Sequence, residues 1–126
     1  MPRVVRRNTI LSADRIPTEH EEQREFVKWF KQNHKDIRIL AIPNGGSRTI
    51  STAARLKAEG VSAGVPDLFV PAWSLWIEMK RQKGGKVSDD QKSWHEYLVS
   101  IGHKVLICYG FNDAIEKVKN EYRMER

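Results

Sequence analysis

The chain has 126 residues, 40% hydrophobic and 30% charged, a composition that fits one soluble folded domain rather than a disordered chain. Its longest uninterrupted apolar run is Val105 to Tyr109, far below the ~20 residues that cross a bilayer, and one cysteine, Cys108, leaves no disulfide framework or cysteine-rich zinc site. Lys and Arg outnumber Asp and Glu by 22 to 16, a net charge of +6 that favours a polyanionic partner, most often nucleic acid.

The excess is front-loaded. Arg3, Arg6, Arg7 and Arg15 stand against Asp14 alone, so residues 1–17 read as a basic N-terminal arm and residues 18–126 as the folded domain. The apolar residues of the arm come in pairs and form no signal-peptide core, so a reducing, cytoplasmic setting is the expectation.

Thr18 is a good N-cap, and Glu21 completes a capping box, which predicts a first helix running to about Asn33. Its apolar stripe is Phe26, Val27 and Phe30. On a helical wheel Glu19 and Gln23 fall in the middle of that stripe, Glu22 on its edge and Glu21 on the opposite face. An acid on an inward face needs a partner. A metal centre is one, and the helix dipole at the first turn is the plainer one.

Ile37 to Ile42 reads as a buried strand, stopped by the turn Pro43-Asn44-Gly45-Gly46. Thr49 to Glu59 reads as a short helix closed by Gly60. Strands follow at Asp67–Val70 and Ser74–Lys80, then a basic loop from Arg81 to Lys86. Ser88 and Gln91 make a second capping box, opening a helix to about Ile101. A strand over His103–Tyr109 and a helix over Asn112–Arg123 close the chain. The order α-β-α-β-β-α-β-α predicts an α/β or α+β fold, with a mixed sheet covered by helices on both faces.

The two middle strands carry the chemistry. A hairpin with a two-residue turn at Ala72-Trp73 places Asp67 opposite Glu78, Cβ atoms ~5 Å apart, with Lys80 on the same face as Glu78. Facing carboxylates in an apolar hairpin repel, so something cationic belongs between them. The donors are oxygens, which suit Mg²⁺ or Mn²⁺. None of His20, His34, His95 and His103 has zinc-site spacing with another His or with Cys108. A solvent-facing salt bridge of Lys80 with the two acids is the alternative. Gln91 is already explained as a capping residue. Lys80, Arg81, Lys83 and Lys86 cluster where a phosphate backbone would meet them, or form a solvated loop. Gly85-Lys86 is followed by Val87, so no nucleotide-binding P-loop exists, and no organic cofactor is expected.

Pro66-Asp67 followed by Glu78-Met79-Lys80 resembles the PD-(D/E)XK nuclease motif. With Glu19-x-x-x-Gln23, Pro43-Asn44-Gly45-Gly46, Gly60-Val61-x-x-Gly64-Val65-Pro66-Asp67-Leu68 and Ser88-x-x-Gln91 in order, residues 18–122 resemble the virus-type replication-repair nuclease (VRR-NUC) domain. The resemblance implies a PD-(D/E)XK restriction-endonuclease-like core, αβββαβ with an extra short helix. It also implies a bacterial or phage-infected cell, and hydrolysis of DNA phosphodiesters with Mg²⁺ or Mn²⁺.

Asp67 and Glu78 are then the metal-binding acids, with the Met79 carbonyl and Glu19 beside them, Lys80 the catalytic lysine and Gln91 the helix-borne glutamine of the site. Asn44, Arg48, Arg81, Lys83 and Lys86 are expected to grip DNA by its backbone. Stand-alone members resemble homodimeric junction-resolving enzymes, which makes branched DNA such as a four-way junction the expected substrate and a homodimer the expected form. A flap- or nick-directed nuclease of the same fold and a non-catalytic DNA-binding module are the rival readings.

Overall fold

The computed structural model describes residues 15–43 and 49–122. In chain order the elements are α1 (Glu19–Asn33), β1 (Leu40–Ala41), α2 (Ile50–Ala58), β2 (Leu68–Val70), β3 (Leu75–Lys80), α3 (Asp89–Ser100), β4 (Lys104–Tyr109) and α4 (Phe111–Glu121). The predicted order is reproduced.

Both capping boxes form. Thr18 Oγ1 accepts from the Glu21 N–H while the Glu21 carboxylate accepts from the Thr18 N–H, and Ser88 and Gln91 repeat the arrangement at α3. Each pair satisfies two of the backbone donors that a helix start leaves without partners.

Among the described residues the strands form one sheet in the order β1-β2-β3-β4. The first three are antiparallel neighbours, and β4 runs parallel to β3. That parallel step needs a crossover, which α3 supplies. The sheet is therefore mixed, with helices on both faces.

Strand alternation sorts the residues of β3. Leu75, Ile77 and Met79 join Leu68, Val70 and Cys108 in the core beneath α1 and α4, where Phe26, Phe30, Ala114 and Val118 are also fully buried. Each large side chain removed from water there contributes roughly 2–3 kcal/mol. Trp76, Glu78 and Lys80 project from the opposite face, toward α3. On that side Leu98 is the one buried residue of α3, so the apolar covering is thin and polar groups can converge.

Two expectations are corrected. The buried strand predicted over Ile37–Ile42 is a two-residue edge strand, both residues exposed, paired only to β2. Its isoleucines are spent differently: Ile37 and Ile39 pack on the rim of the core ahead of the strand. An apolar run of that length fits a central or an edge strand equally well, and the partner on each side decides which.

The β2–β3 connection also differs from the predicted two-residue turn. Pro71 to Trp73 form a 3₁₀ turn that closes at Ser74 in the left-handed region (φ 47°), with the Ser74 N–H donating to the Pro71 carbonyl at 3.1 Å. Pro71 has no N–H for the ladder, so Pro71 and Ser74 both leave the pairing. The connection is longer by one residue on each side, and the register is unchanged.

Candidate active site

The site forms at the end of β2 and β3, where the ladder fails in a particular way. Leu68 pairs with Ile77, so continuing the register brings Asp67 opposite Glu78 and Pro66 opposite Met79. Pro66 has no N–H with which to bond the Met79 carbonyl. The Met79 N–H, for its part, donates to the Asp67 carboxylate, to Oδ2 at 2.7 Å. On the other side, the Ile42 N–H donates to the Asp67 carbonyl at 2.8 Å, so the short edge strand holds the backbone of this acid.

Glu78 is 1% exposed. Its burial, then the charge and hydrogen-bonding reach of the facing Asp67 carboxyl, push it up to about 8; Lys80 opposes the shift, and a smaller contribution from Glu19 adds to it. The pair is thus an electrostatic frustration of the kind seen when two carboxylates share a desolvated site.

Helix α3 attends to Glu78 from across the sheet. The Gln91 amide Nε2 donates to Glu78 Oε2 at 3.0 Å, and His95 Nε2 lies 3.1 Å from Oε1. Gln91 Oε1 accepts at once from the Ser88 N–H and from Lys80 Nζ, each at 2.9 Å. Because the Ser88 N–H can only donate, the orientation of the amide is determined, and its NH₂ must face Glu78. Gln91 therefore caps its helix and joins the two strand residues of the site. Burial, then the Lys80 charge, hold the His95 imidazole below its ordinary value.

The α3 start is close to the 60–66 loop because Gly64 permits it. At φ +91° a Cβ there would lie 2.5 Å from the Asp90 carbonyl carbon. No side chain fits.

The remaining expected site residues fall as follows. Glu19 is exposed on the first turn of α1, near enough for its charge to be felt at Glu78. Glu22, read as an edge position, is 3% exposed and accepts from the Phe111 N–H at 2.8 Å and from Gln82 Nε2 at 2.9 Å. It supplies an acceptor at the start of α4, and Gly110 leaves room for it and for Gln82: a Cβ there would meet Gln82 Cγ at 2.7 Å and Glu22 Oε2 at 3.2 Å. Lys80 is 6% exposed, while Lys83 and Lys86 are exposed on the loop. Arg81 also has a structural task, donating to the Ile16 and Pro17 carbonyls and tying the segment before α1 to the basic loop. Asn44, Arg48 and residues 1–14 of the basic arm lie outside the described residues.

The sequence points to no role for Gln82, and for His95 it excludes only zinc-site spacing. The only signal for His95 was its place four residues after Gln91, on the same face of α3.

The donor set suits a hard divalent ion. Among the described residues no three His, Cys, Asp or Glu side chains form a ligand cage on their own, but Mg²⁺ is commonly held by one or two carboxylates with the rest of its shell from waters and substrate phosphates. Asp67 and Glu78 could supply two carboxylates, and a cation between them would relieve the repulsion that raises Glu78.

A family model for the VRR-NUC domain matches residues 6–112, beginning inside the basic arm. A solved VRR_NUC domain protein is similar at TM-score 0.73 and 26% identity, over 86% of this chain and 91% of that one. No curated protein matches the sequence.

Proposed function

The chain belongs to the VRR-NUC family of nuclease domains, and we propose that it is a Mg²⁺- or Mn²⁺-dependent endonuclease that hydrolyses DNA phosphodiesters in branched DNA, four-way junctions above all. The observation that carries this reading is the facing pair of half-buried Asp67 and buried Glu78 beside Lys80, two acids and a cation gathered at one sheet end and tied there by Gln91 of α3.

Asp67 and Glu78 would hold the ion, with Glu19 and the Met79 carbonyl completing the protein's share. When bound, such an ion activates a water and stabilises charge on the phosphate under attack. Asp67 is held by the Met79 N–H and Glu78 by Gln91 and His95, so neither acid needs to reorganise to receive a cation. Lys80 is directed by Gln91 Oε1 rather than paired with either acid, which leaves its ammonium group as a positioned positive charge for a scissile phosphate or the attacking water.

Lys83, Lys86 and the free part of the Arg81 fork, with Asn44 and Arg48, would contact flanking phosphates, a mode that selects DNA by shape rather than by base sequence. A homodimer would set two such sites on opposite strands, as resolution of a four-way junction requires.

The test is cleavage of labelled four-way junction, 5′-flap and linear duplex DNA with Mg²⁺, Mn²⁺ or EDTA, comparing wild type with Asp67→Ala and Lys80→Ala. Paired symmetric nicks in the junction, abolished by EDTA and by either substitution, are the expected result. Flap cleavage alone would keep the chemistry and overturn the junction and dimer. Salt-sensitive DNA binding with no cleavage of any substrate would overturn the enzyme and leave a basic binding module.

A further inference from the structure

We propose that His95 is a positioning residue for Glu78, which, together with Gln91, clamps both oxygens of that carboxylate from α3 in the orientation that divalent-ion binding requires. The inference rests on the reading of Asp67 and Glu78 as an ion-binding pair and adds a residue to it.

Gln91 and His95 stand one helical turn apart on α3 and reach different oxygens of the same carboxylate, Oε2 at 3.0 Å and Oε1 at 3.1 Å. A single hydrogen bond leaves a carboxylate free to turn about its last torsion. Two bonds, one to each oxygen, fix its plane. His95 is well placed to do so, its side chain being 11% exposed against a Glu78 that is 1% exposed.

The identity of the two groups matters as much as their position. A buried carboxylate beside a lysine would ordinarily form an ion pair and spend its charge there. Here Lys80 Nζ is bonded to Gln91 Oε1, not to Glu78. The groups that hold Glu78 are an amide and an imidazole, so its orientation is set without a permanent cation cancelling the charge that would attract a metal. Outer-shell partners of this kind commonly alter metal affinity by 10–100-fold.

The experiment is a Mn²⁺ titration followed by the electron paramagnetic resonance signal of free Mn²⁺, on wild type, His95→Leu and His95→Gln. Leu removes the ring nitrogen and keeps the bulk, whereas the Gln amide nitrogen reaches about as far as Nε2. His95→Leu is expected to weaken Mn²⁺ binding by about 10–100-fold, and His95→Gln to restore it to within about 3-fold on the same scale. Cleavage by the Leu variant should recover at saturating Mn²⁺ with the KM for DNA unchanged.

Should His95→Leu fail to fold by thermal unfolding, His95→Asn replaces it, since its shorter amide stops short of Oε1 and must show the same loss. Wild-type Mn²⁺ affinity in the Leu or Asn variant, or no rescue by Gln, overturns the role of His95. A wild-type protein that binds no Mn²⁺ overturns instead the ion-binding reading of Asp67 and Glu78, so the two failures are distinct.

Discussion

Replacing Glu78 by Gln should stabilise the protein while abolishing cleavage, and the size of the gain should follow pH. The Glu78 carboxyl is raised from 4.5 to about 8 by burial and by the facing Asp67. Between those limits the folded state keeps a proton that the unfolded state has lost, so stability falls as pH rises, and below 4.5 both states are protonated and nothing is lost. At ~1.4 kcal/mol per pH unit the whole shift corresponds to at most ~5 kcal/mol above pH 8. Local relaxation around the buried carboxyl brings the working value to about 2–4 kcal/mol. Gln has the same shape, accepts from Gln91 Nε2 and carries no titrating proton. For a chain of this length 1 kcal/mol moves Tm by about 4 °C.

Thermal unfolding in EDTA should therefore show Glu78→Gln about 8–15 °C above wild type at pH 8, narrowing to within ~2 °C near pH 5. Mg²⁺ should close the gap at pH 8 by stabilising wild type alone. A variant no more stable than wild type at pH 8, or a gap that does not change between pH 5 and pH 8, would refute the argument that these carboxylates are held in frustration.

Gly64→Ala should cost about 2–4 kcal/mol, since it combines a positive φ with a collision against the α3 backbone. Gly60→Ala, also at positive φ but with nothing within 4 Å of a Cβ, should cost only about 1 kcal/mol. Equal losses in denaturant unfolding would show that the close approach of the 60–66 loop to α3 is not what Gly64 provides. The two first-helix acids should separate cleanly. Glu22→Ala strands the Phe111 N–H and should lower stability by about 2–3 kcal/mol, with cleavage within a few-fold of wild type while the protein is folded. Glu19→Ala, at an exposed position, should change stability by less than about 0.5 kcal/mol and reduce cleavage instead. Stability and activity moving the other way round would exchange their roles.

Much of this architecture could be read before any coordinates. Thr18 with Glu21 and Ser88 with Gln91 are local signals, because a capping box involves residues three apart in one chain segment, and both helices start where they say. The Asp67–Glu78 juxtaposition was also legible, since hairpin register depends on residue count alone; it survived a turn of a different kind because the connection lengthened by one residue on each side. What the sequence could not determine was the environment each residue meets. The run Ile37–Ile42 has the hydrophobicity of a central strand, yet it lies at an edge, a matter of which strands flank it. Glu19 and Glu22 differ by less than a helical turn, and only the arrival of α4 and Gln82 buries the second and leaves the first in water. Gln91 and His95 meet Glu78 across 13 and 17 residues of chain. Their meeting depends on the parallel crossover that lays α3 over the sheet. Local backbone chemistry is written in neighbouring residues, whereas burial and partnership belong to the packed whole, and in this chain they turn a capping glutamine and a histidine without zinc-site spacing into the holders of a buried acid.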